Sequence, residues 1–264
     1  MLTFVGLGLY DERSITVEGR SAIREADRVF AEFYTSLLGG TSVADLEAFH
    51  DVDIEVRDRA GVEQDPEPIL AAAVNDHVAF LTAGDPMVST THVDLRLRAH
   101  ERGIDTRIVH GTTAQAAASG LSGLQNYRFG KATTLPFARD DPDRDRADPQ
   151  VPGSVVDTIT DNRERGLHTL VFLDIDAERE AYLTADRAAG RLAVAWQDGL
   201  GVVVARAGSP APVVAANRLS TLADRDFGEP LHLLVVPGGL HHLEADALHA
   251  FGNAPRGALE EELA

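Results

Sequence analysis

Three short glycine-containing motifs in the first half of the chain end apolar runs, and two of them also carry polar residues: Gly6-Leu7-Gly8-Leu9, Ala83-Gly84-Asp85-Pro86 and His110-Gly111-Thr112-Thr113. Glycine lets a backbone approach a nucleotide closely. An aspartate can accept a hydrogen bond from a ribose hydroxyl, and backbone N–H groups at a helix start can bind an adenine edge or a carboxylate. The motifs therefore indicate nucleotide binding, although each alone also fits a tight turn or a helix cap.

The first motif lacks one feature of a dinucleotide site. Asp11 stands where the fingerprint needs a third glycine, whereas Glu32 lies near the expected position of a ribose-binding acid. An NAD-dependent dehydrogenase therefore stays an alternative that the missing glycine disfavours.

In the second half of the chain, small or polar residues stand at the ends of apolar runs. Leu173-Asp174 ends one run, residues 205–209 (ARAGS) end another, and His232 begins a third. A polar side chain at the start of a buried strand is normally hydrogen-bonded. A structural hydrogen bond is therefore the default expectation for His232.

Several chemistries are disfavoured by what the sequence lacks. It holds no Gly-x-x-x-x-Gly-Lys-Ser/Thr and no Gly-x-Ser-x-Gly, the motifs of P-loop kinases and α/β-hydrolases. It holds no cysteine, so disulfides and thiolate metal sites are excluded. His241, His242 and His249 do not have the His-Glu-x-x-His spacing, and we expect no metal. No catalytic pair or triad stands out, so no catalytic residue is assigned.

The elements that would position these motifs alternate in the first half. Apolar runs predict strands over residues 2–9, 29–34, 78–82 and 104–109. Helices are predicted from an N-cap at Thr16, from Pro66 and Pro68 to residue 73, and over residues 91–102. Such alternation implies parallel βαβ units.

The pattern changes after His110. A helix is predicted over residues 114–120 and another over 178–195, with strands over 170–175, 202–205 and 231–236. Residues 139–149 (RDDPDRDRADP) predict a solvated loop. We divide the chain near residue 112 into two α/β domains, 1–112 and 113–264, and expect a ligand cleft between them.

Composition limits the possible partners. The 264 residues include 42 acidic and 24 basic side chains, giving a formal net charge of −18, and Lys131 is the one lysine. This charge argues against nucleic-acid binding. No apolar stretch is long enough for a membrane span, and the first residues do not resemble a signal peptide. We therefore expect a cytoplasmic protein that does not bind membranes, and the acidic surface suggests life in molar salt.

Longer strings carry a more specific signal. FVGLGLYDERSIT, VFAEFYTSLLGGT, VAFLTAGDPMVSTTHVDLRLRA, YRFGKATT, ERGLHTLVFLDI and VVVARAGS resemble the diphthine synthases, S-adenosylmethionine-dependent members of the tetrapyrrole methylase group. The resemblance runs in order from Met1 to about Arg256 and suggests a halophilic archaeon as the source. It implies two αβα domains with the cofactor cleft between them, usually in a homodimer.

The resemblance also implies an activity and a set of contacts. The family methylates the amine of a 3-amino-3-carboxypropyl group on a histidine of translation elongation factor two, and archaeal members make the trimethylammonium diphthine product. Residue by residue, it implies cofactor contacts at the following positions of this chain: Leu9, Asp85, Val88, Thr113, Ala114, Leu173, Ala207 and His232. The family often has a serine followed by an aliphatic residue at the Thr113-Ala114 position, and threonine keeps the hydroxyl.

The implied methyl transfer depends more on the alignment of the donor and the acceptor amine than on acid–base side chains. In methyl transfer, the positive charge of the sulfonium donor disappears as the positive charge of the new ammonium forms. The attacking amine must be neutral for this step. We therefore expect an apolar or backbone wall near the methyl group, with Asp85 turned toward the ribose. Aromatic faces can hold a trimethylammonium group. The candidates, for which core packing is the alternative role, are Tyr10, Phe33, Tyr34, Tyr127 and Phe129.

Three alternatives are also compatible with the sequence. One is a corrin or tetrapyrrole methyltransferase of the same superfamily, which would hold a coloured tetrapyrrole. Another is the dehydrogenase discussed above. The third is a binding protein that keeps the fold without transferring a methyl group.

The acidic surface leads to a prediction about salt. Lowering the salt from about 1 M to about 0.1 M lengthens the Debye screening distance from ~3 Å to ~10 Å, so repulsion among the excess carboxylates increases. We expect the melting temperature to fall on this dilution, measured by circular dichroism at constant pH. Equal melting temperatures at both salt concentrations would contradict adaptation to molar salt.

Overall fold

A computed structural model of the chain describes residues 1–138 and 151–263. These residues fall into two compact units, Met1–Ala114 and Gln115–Ala264. The loop predicted over residues 139–149 lies outside the described residues. Across the described ranges, no helix has the length and apolar character needed to cross a membrane.

The first unit is built on a five-stranded parallel sheet with the strand order β3-β2-β4-β1-β5. Its strands are β1 (Leu2–Gly6), β2 (Arg28–Glu32), β3 (Ile54–Val56), β4 (Val78–Thr82) and β5 (Thr106–Val109). Its helices are α1 (Val17–Arg24), α2 (Val43–His50), α3 (Glu67–Asn75) and α4 (Val93–Glu101), with a π-helical turn over Ala60–Gln64. Strands β1 and β4 are buried throughout, as central strands covered on both faces must be.

Two apolar layers stabilise this sheet from opposite sides. Phe4, Phe30 and Phe80 belong to one layer, while Val5 and Leu81 belong to the other. Consecutive residues of a strand point to opposite faces, so Phe4 and Val5 enter different layers. The continuous apolar runs of the sequence therefore reflect burial on both faces.

Most predicted elements of the first unit are confirmed. The strand over 78–82 agrees with β4 at both ends, and the Thr16 hydroxyl accepts a hydrogen bond from Gly19 N at 3.0 Å as the cap of α1. The second strand ends at Glu32 instead of residue 34 because the Glu32 carboxylate accepts hydrogen bonds from the next backbone N–H groups and turns the chain.

The second unit has a mixed five-stranded sheet with the order β11-β10-β12-β7-β6. Its strands are β6 (Thr133–Leu135), β7 (Thr169–Leu173), β10 (Leu200–Ala205), β11 (Val213–Arg218) and β12 (His232–Val236), and a separate two-stranded ladder joins β8 (Ile175–Asp176) to β9 (Ala181–Tyr182). Only β6 and β7 pair in parallel; the other neighbours in the five-stranded sheet are antiparallel. Its helices are α5 (Ala114–Ser122), which begins at the last residue of the first unit, α6 (Gly153–Glu164), α7 (Ala185–Ala195), α8 (Leu219–Ala223), α9 (His242–Gly252) and α10 (Arg256–Glu260).

The helix predicted over residues 178–195 is wrong in its first part. The backbone forms a short 3-10 turn over Ala177–Arg179, and Glu180 then adopts a left-handed conformation with φ 50°. The Asp176 carboxylate accepts a hydrogen bond from Arg179 N at 3.2 Å and so stabilises the turn instead of a longer helix. The helix α7 begins only at Ala185, after the two-stranded β8–β9 ladder.

Glu244 forms the main buried polar contact of the second unit. Its carboxylate is fully buried and accepts hydrogen bonds from Gln125 N at 2.9 Å, His241 N at 2.9 Å, Arg128 Nη1 at 2.6 Å and His168 Nε2 at 3.0 Å. Burial opposes ionisation, but these donors outweigh it and hold the pKa of Glu244 below its usual value. One ionised side chain thus joins α9 to the segments before β6 and β7.

Replacing this carboxylate should destabilise the protein in a pH-dependent way. We expect Glu244→Ala to lower the free energy of unfolding by about 3–5 kcal/mol at pH 7, because it removes a fully buried acceptor and leaves the buried ring of His168 and the backbone N–H of Gln125 without it. The lowered pKa means that the wild-type advantage is complete above 4.5 and is lost as the pH falls below it. Urea denaturation across this pH range measures the difference.

The exposed Glu260 provides the control for this prediction, since Glu260→Ala removes a carboxylate from α10 without exposing a buried partner. Equal stability of the two variants, or a Glu244→Ala deficit that does not shrink in acid, would contradict the role assigned to Glu244.

Candidate functional site

The three glycine motifs meet at the carboxyl ends of neighbouring strands. Strand β1 lies between β4 and β5, and the backbones that follow these strands touch. A Cβ atom on Gly6 would lie 2.5 Å from Gly111 N and 2.6 Å from Gly84 O, so no larger residue fits there. Gly8 and Gly84 also exchange backbone hydrogen bonds of 3.1 and 2.7 Å. Ligands of parallel sheets collect at this edge.

Asp85 joins the loops that follow β4 and β5. The residue is 4% exposed, and its Oδ1 accepts a hydrogen bond from Met87 N at 2.9 Å. Its Oδ2 accepts hydrogen bonds from Gly111 N at 3.2 Å and from His110 Nδ1 at 2.7 Å. A carboxylate has about four acceptor positions. Asp85 therefore uses three of them within the chain and has one left for a ligand.

His110 is a candidate functional residue that the sequence did not assign. Its side chain is 72% exposed although it is hydrogen-bonded to a buried carboxylate. Asp85 reaches it across the end of β1 because Gly6 there has no side chain. The signal in the sequence is an aspartate and a histidine that each end a strand, but the strand order that brings them together is not visible in the sequence.

The other predicted contacts of the first unit lie on the same loops. Leu9 follows β1, and its carbonyl accepts a hydrogen bond from the Ser14 hydroxyl. Val88 lies three residues after Asp85 and is exposed. Thr113 and Ala114 are half-buried at the start of α5. The structure thus brings all five predicted residues of this unit to one edge of its sheet.

The three predicted contacts of the second unit also share one sheet end. Leu173 is the last residue of β7, and Ala207 follows β10 after one residue. His232 begins the antiparallel strand β12 and pairs with Ala205. Because Leu233 pairs with Phe172, His232 and Leu173 lie at the same end of adjacent strands.

His232 makes the structural hydrogen bonds expected by default. The imidazole is buried, its Nε2 donates to Glu229 O at 3.0 Å, and its Nδ1 accepts from Ala185 N at 3.2 Å at the start of α7. Burial lowers the pKa of His232, so the ring is neutral near pH 7. With both nitrogens engaged, this residue can touch a ligand through its ring face or its backbone.

Glu32 does not offer its carboxylate to a ligand. The side chain is fully buried and accepts hydrogen bonds from Tyr34 N at 3.1 Å, Thr35 N at 3.0 Å and Thr35 Oγ1 at 2.5 Å. Burial raises the pKa of Glu32 against these donors. The arrangement fits a buried turn and removes the ribose-binding acid on which the dehydrogenase alternative depended.

Most of the aromatic candidates pack within their own unit. Tyr34 is buried, and the Arg59 guanidinium lies 4.9 Å from its ring centre. Phe129 meets the ring of His168 edge-on at 5.4 Å. Tyr127, by contrast, is 79% exposed. The remaining two pack likewise: Tyr10 against Gly40, and Phe33 against the first-unit core.

The His241-His242 pair begins α9. The Nδ1 atom of His241 accepts a hydrogen bond from Leu243 N at 3.2 Å and thereby caps the helix. Within residues 1–138 and 151–263, no three histidine, aspartate or glutamate side chains are grouped to hold a metal ion.

Comparison with known proteins extends the argument beyond this geometry. Residues 1–223 match the family described as Tetrapyrrole (Corrin/Porphyrin) Methylases. A protein named diphthine synthase from Halorubrum lacusprofundi is 69% identical over 270 residues, covering 99% of this chain and 100% of the relative. A diphthine synthase from Natronomonas pharaonis is 65% identical and covers 99% of both chains.

A solved structure agrees with these relatives. The crystal structure of a diphthine synthase matches with a TM-score of 0.89 and 38% identity, covering 99% of each chain. The two relatives above come from halophilic archaea, in agreement with the origin expected from the acidic composition. The chain belongs to the tetrapyrrole methylase family and, within it, to the diphthine synthases.

Proposed function

We propose that this protein transfers methyl groups from S-adenosyl-L-methionine to the amine of the 3-amino-3-carboxypropyl-histidine of translation elongation factor two. The product is the trimethylammonium diphthine intermediate of diphthamide biosynthesis. The observation that carries the proposal is similarity along the full length of proteins named diphthine synthase, two of which are 69% and 65% identical to this chain.

The residues at the sheet edges suit the methyl donor. On the first unit, we assign cofactor contacts to Leu9, Asp85, Val88, Thr113 and Ala114; on the second unit, we assign them to Leu173, Ala207 and His232. A Cβ atom on Gly84 would meet no atom within 4 Å, so the backbone there faces open space. Asp85, which directly follows Gly84, has one acceptor position that the hydrogen bonds within the chain do not use, and α5 begins three residues after Gly111. These are groups that a ribose hydroxyl and an adenine edge can use.

The main contribution of this chain to the reaction would be to align the two substrates. The bound sulfonium nucleoside supplies a methyl group that is transferred in line to a nitrogen. Charge is moved in this reaction, and alignment of the reactants can supply roughly 7–11 kcal/mol of the barrier. The backbones of the glycine loops pack closely at Gly6, where a Cβ atom would lie 2.5 Å from Gly111 N and 2.6 Å from Gly84 O. The residues here hold and orient the two substrates.

The partner and assembly follow from this activity. The substrate is a protein of translation, so we place the enzyme in the cytoplasm and name elongation factor two as its partner. We further propose a homodimer, as the family resemblance implies. The net charge of −18 supports a protein partner over a nucleic acid.

The central test is methylation of the modified elongation factor. We expect calorimetry to detect binding of S-adenosylhomocysteine, and mass spectrometry to detect up to three added methyl groups on elongation factor two carrying the aminocarboxypropyl group. Unmodified elongation factor is the matched control and should gain none. Binding without transfer would favour a non-catalytic role, and a tightly bound tetrapyrrole seen by absorbance would favour a corrin methyltransferase.

Replacing Asp85 should weaken cofactor binding. Asp85→Ala removes one hydrogen bond to the ligand and also leaves Gly111 N without its acceptor. A hydrogen bond to a charged group contributes roughly 1.5–3 kcal/mol, so we expect S-adenosylhomocysteine to bind about 10- to 150-fold more weakly by calorimetry. Asp94→Ala on α4 removes an exposed carboxylate and should leave affinity unchanged. An unchanged affinity of Asp85→Ala for S-adenosylhomocysteine would contradict the assignment of Asp85 as a cofactor contact.

A further inference from the structure

The His110–Asp85 pair has the arrangement of a general base and its orienting group. The carboxylate is 4% exposed, the imidazole is 72% exposed, and 2.7 Å separates Asp85 Oδ2 from His110 Nδ1. An ionised carboxylate can only accept hydrogen bonds, so the proton of the neutral ring lies on Nδ1. The Nε2 atom then carries a free lone pair on the exposed part of the ring.

The position of this lone pair matters because of its neighbours. His110 directly precedes Gly111, whose N–H donates to the same Asp85 oxygen, and it lies three residues before Thr113. The backbone around Gly84 and Gly111 forms the edge to which we assign the methyl donor. His110 is therefore an exposed, hydrogen-bonded imidazole in the same loop as residues to which we assign the methyl donor.

Three buried histidines are less suited than exposed His110 to receive a substrate proton. His232 has both ring nitrogens engaged, and His168 donates to Glu244 from one nitrogen and accepts from Gly238 N with the other. His92 lies inside the first unit against Pro86 O, and burial lowers its pKa to about 4. His110 combines a fixed tautomer with access to solvent.

We propose that His110 is the catalytic proton acceptor of the methyl transfer and that Asp85 holds its ring in place. This inference rests on the proposed function. The substrate enters as an ammonium and gives one proton to His110 Nε2, which leaves a neutral amine. The nitrogen–carbon bond then forms as the carbon–sulfur bond breaks, and the electron pair of that bond leaves on sulfur.

The proton balance holds over repeated transfers. Each round converts one sulfonium and one neutral amine into a thioether and a methylated ammonium, and one proton remains on His110. The exposed ring of His110 releases that proton to water before the next round. Building a trimethylammonium group from a primary ammonium requires three such proton removals, which makes a reusable acceptor valuable.

The experiment compares wild type with His110→Gln and His110→Ala. We expect each variant to bind S-adenosylhomocysteine as wild type does by calorimetry, and to show a kcat for methylation of the modified elongation factor lowered by about 10²- to 10⁴-fold. Added imidazole should partly restore His110→Ala, which a merely structural role would not allow. His100→Gln, at an exposed position on α4, is the matched control and should retain full activity.

A second measurement does not depend on turnover. Nitrogen NMR of the wild-type protein without substrate should show His110 as the Nδ1–H tautomer at a pH where the ring is neutral. In Asp85→Asn the side-chain amide can donate, and the His110 signal should move toward the Nε2–H tautomer. An unchanged tautomer would overturn the orienting role of Asp85.

The outcomes separate the two hypotheses. If wild type methylates the modified factor and both His110 variants do so equally fast, the proton-acceptor role is wrong and the proposed function stands. Slow variants that imidazole does not restore, together with weakened S-adenosylhomocysteine binding, would instead indicate a structural role for His110. If wild type itself adds no methyl group, the proposed function and the inference both fall.

Discussion

The carboxylate of Asp85 can reach the loop after β5 only because the strand between ends in a residue without a side chain. Strand β1 separates β4 from β5, and any Cβ atom on Gly6 would collide with backbone on both sides. Buried Asp85 therefore accepts hydrogen bonds from its own loop, which follows β4, and from the loop that follows β5. Asp85 thereby connects the loop after β4 to Gly111 and His110 in the loop after β5.

The buried polar groups of the protein differ in whether they keep a hydrogen-bonding position for a ligand. Glu32, His232 and Glu244 are buried, and their hydrogen bonds connect elements within a unit. A buried polar group without partners would cost about 1–3 kcal/mol, so such groups are used structurally. Asp85 differs because it retains an acceptor position and holds an exposed imidazole. This difference separates a candidate functional group from a structural one.

The sequence predicted best those features that depend on local patterns. Strand β4 is bounded by a buried apolar run, and Thr16 caps α1 through a contact three residues away, so both were identified. The family resemblance named eight contacts, and the structure groups them at one sheet end within each unit; their role in cofactor binding stays a prediction. The antiparallel pairing in the second sheet was not foreseen because partners such as Leu234 and Val171 lie far apart in the chain. The helix start at Ala185 was misplaced for a local reason, since helical periodicity does not reveal the turn that Asp176 stabilises.

The contrast in exposure between Asp85 and His110 fits what repeated methyl transfer demands. A group that fixes geometry must be shielded from water, because an exposed carboxylate would exchange its partners with solvent. A group that takes up a proton in each round must return it to water, so it cannot be sealed inside the fold. Placing the two functions on separate residues, 4% and 72% exposed and 2.7 Å apart, meets both demands. A single buried acid could meet only the first demand, so the repeated methylation of one nitrogen that we propose requires the pair and not Asp85 alone.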